Sequence, residues 1–72
     1  MDVLDRISSA RQRLRVNLLQ LKGSERMEDI AEAAGICGYT LSRIINMRGN
    51  PTLETLERLA IYFGVEVRDL LK

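Results

Sequence analysis

Histidine and tryptophan are absent from this chain of 72 residues, and cysteine occurs once, at Cys37. A disulfide within the chain is therefore impossible, and so is a zinc site built from cysteine and histidine. We predict neither a metal nor a cofactor. The chain lacks histidine and a convincing pair of carboxylates, and it is too short for a deep pocket, so the sequence also argues against an enzyme.

Long apolar runs are missing as well. No stretch approaches the ~20 apolar residues of a membrane-spanning helix, and residues 1–10 do not have the pattern of a signal peptide. We therefore expect a soluble, cytoplasmic protein with no membrane partner. The length allows one domain, which we assign to residues 1–72.

Aromatic residues are few: Tyr39, Tyr62 and Phe63. Apolar residues nevertheless make up 46% of the chain and charged residues 29%, which is the composition of a folded protein. The core must consist of leucine, isoleucine, valine and alanine, and this suits packed helices better than a β-sandwich. We predict an all-α fold of five helices.

The first predicted helix runs from about Val3 to Lys22 and ends at Gly23, a residue that often follows a helix. Its inner stripe steps by three or four residues, which is the period of one helical face. The members of this stripe are Leu4, Ile7, Arg11, Leu14, Leu18 and Leu21. Arg11 is the only polar residue among them.

The second predicted helix is capped by Ser24 and stopped by Gly35. Its inner residues are Met27, Ile30, Ala31 and Ala34. The third helix has Cys37 as its N-cap, with Leu41, Ile44 and Ile45 facing inward. Gly49, Asn50 and Pro51 then form a loop.

The fourth predicted helix is capped by Thr52 and closed by Gly64. The residues expected on its inner side are Leu53, Leu56, Leu59, Ala60 and Phe63. A short fifth helix runs from Val67 to Leu71.

The net charge is only +1, but the charges are unevenly distributed. Two stretches contain no acidic residue: residues 6–24, with five basic side chains, and residues 33–53, with Arg43 and Arg48. Clustered basic charge is typical of nucleic-acid binding. A solvated helix face is the alternative interpretation, and it is about equally favoured for the first stretch.

The stretch from Met27 to Asn46 predicts two helices that cross with a turn of three or four residues between them. Ala31 must be small because the next helix passes close to it, and Gly35 must accept a positive φ angle. Leu41 and Ile44 must be apolar because they anchor the third helix to the core. The residues meet all four demands.

At this point the sequence resembles the λ repressor/Cro-like, or XRE-type, helix-turn-helix family. The segments that carry the resemblance are IAEAAGI at residues 30–36, LSRI at 41–44, NPTLETLERLA at 50–60 and FGVEVRDLL at 63–71. The resemblance implies a five-helix bundle that binds double-stranded DNA as a homodimer, with its third helix in the major groove. A phage or bacterial repressor, or the antitoxin partner of a toxin, fits this description.

The outward positions of the third helix are Tyr39, Ser42, Arg43 and Asn46. By the resemblance, the first turn of this helix and Arg43 read bases, whereas later positions contact phosphate. The full set of DNA-binding residues implied in this way is Arg26, Met27, Gly38, Tyr39, Thr40, Ser42, Arg43, Asn46 and Arg48. An arginine at the position of Arg43 can bond to guanine O6 and N7.

The chain departs from the family pattern at three positions. Gly38 stands where a long polar side chain often reads a base, and Met27 stands where a glutamine often braces the first base contact. Met47 replaces the glycine that commonly ends the third helix, so we expect that turn to be made differently, with Gly49 in its place. Gly38, Met27 and the low net charge support a second hypothesis, a protein-interaction module on the same fold that binds another regulatory protein.

Overall fold

The computed structural model describes the backbone of residues 3–72 and the side chains from Ser9 onward. It contains five helices: α1 (Val3–Lys22), α2 (Met27–Ala34), α3 (Gly38–Ile45), α4 (Leu53–Phe63) and α5 (Val67–Leu70). The described residues form no strand, and none of their helices is long and apolar enough to cross a membrane. The predicted all-α fold is confirmed.

The core is a single apolar cluster to which every helix contributes. Its least exposed side chains are Leu18, Ile30, Leu41, Leu59 and Leu70. α3 packs against α1 and α2, while α4 packs against α2, and α5 packs against α1 and α4. This arrangement holds α3 by one side and leaves its other side in solvent.

The helix ends largely follow the predicted signals. Gly35 and Gly64 have φ angles of 76° and 69°, and Thr52 Oγ1 accepts a hydrogen bond of 3.1 Å from the Thr55 N–H group. Cys37 is the N-cap of α3, as predicted, although its side chain makes no capping bond. α5 ends at Leu70, one residue earlier than predicted.

Ser24 does not cap α2. The Glu25 N–H group bonds to the Lys22 carbonyl at 3.0 Å, so the chain makes a turn there, and α2 begins only after an extended Arg26. The spacing of apolar residues predicted this helix correctly. Its start is two residues later than a Ser24 cap would place it, because a turn follows α1.

Two leucines predicted to face inward are exposed instead. Leu21 lies in the last turn of α1 and is 38% exposed, and Leu53 is the first residue of α4 and is 64% exposed. The spacing of apolar residues predicts which side of a helix faces the core. It does not predict whether the neighbouring helices extend far enough to cover the residues at the end of that side. Of the predicted α1 stripe, Leu14 and Leu18 are buried, whereas the side chains of Leu4 and Ile7 lie outside the described residues.

Candidate nucleic-acid interface

The turn between α2 and α3 has the predicted geometry. Gly35 is left-handed, and the Ile36 N–H group reaches back to the Ala31 carbonyl at 2.9 Å. Ala31 is 3% exposed and Leu41 is 2% exposed, so the two helices meet closely where small and apolar residues were required. Because Leu41, Ile44 and Ile45 are buried, the opposite side of α3 forms the outer face of this pair.

Tyr39 and Arg43 form a pair on that outer face. Tyr39 is 69% exposed, and the Arg43 Cζ atom lies 5.6 Å from the centre of its ring. This is a cation–π distance, and the two residues are one helical turn apart. The pair thus presents a broad ring and a planar cation to solvent.

The turn after α3 is made by Met47 itself, which corrects the expectation that Gly49 makes it instead. Met47 has a φ angle of 59°, the only positive φ at a non-glycine residue in the described chain. The Arg48 N–H group bonds to the Arg43 carbonyl at 2.8 Å, so Arg48 is held next to the end of α3. Gly49 is also left-handed, but it lies two residues beyond the turn.

The loop that carries Arg48 is braced by α1. The Arg11 guanidinium donates a hydrogen bond to the Asn50 side-chain oxygen, which explains why an arginine occupies a place in the inner stripe of α1. Between this loop, α3 and the start of α4 lies a cavity of about 290 Å³. Its lining residues are Tyr39, Thr40, Arg43, Ile44, Arg48, Gly49, Asn50, Pro51, Thr52 and Thr55.

The sequence profile of the helix-turn-helix family matches residues 11–70. The chain belongs to the helix-turn-helix family. A relative from Deinococcus deserti, named HTH-type transcriptional regulator DdrOP3, is 48% identical over 58 residues. The match covers 81% of this chain but only 45% of that protein, so the chain spans less than half the length of its relative. No solved structure matches the chain.

The helix-turn-helix brings together four of the nine residues expected at a DNA interface: Tyr39, Thr40, Arg43 and Arg48 line one cavity. Ser42 lies on α3 and Asn46 is the C-cap residue that follows it; the two bond to each other, with Asn46 Nδ2 donating to Ser42 Oγ at 3.3 Å. Gly38 begins α3, and the place where a Cβ would stand is open space.

The remaining two expected residues lie at the start of α2 and do not line the cavity. Arg26 pairs with Glu28 at 3.2 Å, and Met27 packs partly against the core. The positive end of α2 therefore already has an acidic side chain within reach.

Sequence reasoning did not select Gly49, Asn50, Thr52 and Thr55, although all four line the cavity. The loop and the N-cap were identified for their backbone roles. Their place beside α3 depends on how α4 packs against α2, which local sequence does not reveal.

The charges of the described helix-turn-helix domain separate into paired and unpaired groups. Arg26, Arg58, Arg68 and Lys72 each pair with a carboxylate. Within the described residues, Arg43 and Arg48 form no such pair, and the chain carries no acidic residue from 33 to 53. Among the described residues, no carboxylate therefore pairs with the positive charge beside α3.

Proposed function

We propose that this chain is a DNA-binding regulator of transcription, a repressor that reads operator DNA with α3 in the major groove. One observation carries the proposal: the outer face of α3 exposes Tyr39 and Arg43, with Arg48 beside them. No carboxylate among the described side chains pairs with either arginine. The family membership and the regulator name of the relative support it. An α-helix with its side chains is ~10–12 Å across, which matches the ~12 Å width of the major groove.

The two arginines have different roles in this proposal. Arg43 projects from α3 and is placed to reach a base edge, where a bidentate bond to guanine discriminates by ~1–3 kcal/mol. Arg48 follows the helix and is placed to neutralise a phosphate, which holds the protein on DNA without reading sequence.

Fluorescence anisotropy with DNA selected from a random pool tests both roles. Arg43→Ala is expected to cost ~1–3 kcal/mol and to relax preference at one base pair. Arg48→Ala is expected to weaken binding to all sequences and to reduce the slope of log affinity against log salt by about one. Arg68→Ala is the control, because Arg68 lies on α5, which packs on α1 and α4 rather than on α3.

If Arg43→Ala leaves both the affinity and the base preference unchanged, α3 is not the element that reads the base sequence. If the wild-type protein shows no salt-dependent DNA binding near physiological ionic strength, the protein-interaction hypothesis becomes the better account. The exposed Ile61, with 79% of its surface in solvent, favours that second hypothesis. Ile61→Asp would then abolish binding to the partner regulator without unfolding the domain.

The proposal includes a homodimer on a two-fold DNA site, as the family resemblance implies. The apolar Leu70 and Leu71 are not available for a dimer contact, because Leu70 is 0% exposed and Leu71 packs against the core. These leucines therefore belong to the fold. Sedimentation at several concentrations, with and without DNA, decides the oligomeric state, and a strict monomer in both conditions contradicts this part.

A further inference from the structure

The Arg43 guanidinium lies close to two neighbours, Tyr39 and Gly49, and neither is a carboxylate. Its Cζ atom lies 5.6 Å from the centre of the Tyr39 ring. It also lies directly against the backbone of Gly49, where a Cβ atom would stand 2.5 Å from Arg43 Nη2 and 3.0 Å from Cζ. Since atoms do not approach this closely, any residue other than glycine at position 49 would displace the guanidinium.

We propose that Tyr39 and Gly49 are positioning residues that fix the Arg43 side chain before DNA is bound. The inference rests on the proposed function and adds Gly49 to the residues that determine base preference. An exposed arginine loses rotamer freedom when it binds, and a conformation already selected in the free protein reduces that loss. It also presents the guanidinium fork in one orientation, which bidentate recognition of a base requires.

The glycine at position 49 has two separable consequences. Its φ angle of 67° favours glycine for backbone reasons alone, so a substitution strains the chain whatever its neighbours. Gly64 provides a matched control, because its φ angle is 69° and no atom lies within 4 Å of the place where its Cβ would stand. Gly49→Ala and Gly64→Ala therefore introduce similar strain, but only the first displaces Arg43.

The first test uses the free protein and nuclear magnetic resonance of the arginine Cδ protons. In the wild type, the Arg43 resonances should be shifted by the Tyr39 ring relative to those of the other arginines. The shift should be lost in Gly49→Ala and Tyr39→Leu and kept in Gly64→Ala and Tyr39→Phe. Unshifted wild-type Arg43 resonances, or a shift that survives Gly49→Ala, would overturn the positioning.

The second test measures the affinity ratio between the best DNA site and a site changed at the base pair that Arg43 reads. Gly49→Ala should reduce this ratio roughly five- to tenfold, the lower part of the range of one bidentate contact, whereas Gly64→Ala should leave it unchanged. Both variants should lose similar thermal stability, which separates strain from recognition. An unchanged ratio in Gly49→Ala contradicts the inference while the proposed function stands.

Failure of the proposed function has a different signature. A wild-type protein that binds no DNA removes the role in base recognition together with the function. The resonances of the free protein still show whether Tyr39 and Gly49 hold Arg43, so the two failures are distinguishable.

Discussion

Three helices of this domain end in the same hydrogen-bonded turn, but they do not use the same residue to make it. After α2 and α4 the left-handed residue is glycine, at Gly35 and Gly64. After α3 it is Met47, with a φ angle of 59°. In each turn the next N–H group bonds back across the helix end, at 2.9 Å for Ile36 and Val65 and 2.8 Å for Arg48.

The comparison shows that the surrounding fold, rather than the residue, determines this turn. A left-handed conformation costs a non-glycine residue roughly 1–2 kcal/mol, and the packing on either side of Met47 imposes it nevertheless. Ile44 and Ile45 are buried before the turn, and Leu56 and Leu59 are buried on the helix that follows. The turn after α3 is therefore the strained one, and it holds Arg48 beside the candidate interface.

The largest effect on stability is expected when the apolar packing of α3 is disrupted, because this packing stabilises the turns at both ends of the helix. Leu41 is 2% exposed and lies between them, so Leu41→Ala should reduce the free energy of unfolding by ~2–5 kcal/mol, as for other buried leucines. Chemical denaturation measures the change. Leu53→Ala is the control, because Leu53 is 64% exposed, and it should change stability by less than about 0.5 kcal/mol. Equal losses in the two variants would show that α3 does not pack as described.

A smaller loss of stability is expected when the glycine in the turn after α2 or α4 is replaced by a β-branched residue. Gly35→Val and Gly64→Val should each cost about 2–3 kcal/mol, because valine is a genuine outlier at positive φ. The costs should be similar, since the only close neighbour of a Cβ at position 35 is the flexible end of Arg58, at 2.8 Å. Thermal melts that show no change at Gly35 would contradict the turn assignment.

The smallest expected effect has the opposite sign. Met47→Gly should raise the free energy of unfolding by about 1 kcal/mol, because the strain is relieved while the unfolded chain gains some freedom. In a domain of this size that corresponds to a rise of about 4–8 °C in melting temperature. Met47→Asn should give a smaller rise, since asparagine tolerates this conformation better than methionine. A fall in stability for both variants would mean that Met47 contributes more by packing than it costs by strain.

Local sequence signals predicted the helices and the turn between α2 and α3, because both depend on residues close together in the chain. The same signals failed where a third element decides the outcome. Leu21 and Leu53 were predicted to face inward but are exposed, because the neighbouring helices do not cover these ends of α1 and α4. For the site, the exposed residues of α3 followed from its period, but the contact of Arg43 with Gly49 depends on a turn that the sequence did not predict at Met47.

The hydrogen bonds between α1 and the last residues bear on how the protein is made. Asn17 Nδ2 donates to the Leu70 carbonyl at 2.8 Å and the Lys72 carbonyl at 3.1 Å, and Arg13 Nε donates to the Leu71 carbonyl at 3.0 Å. Arg13 and its partner are 58 residues apart in the chain. A ribosome adding ~5–20 residues per second therefore synthesises α1 roughly 3–12 s before these acceptors exist. During that interval the apolar side of α1 is without α5, so the domain cannot complete its core until residues 67–72 have been synthesised.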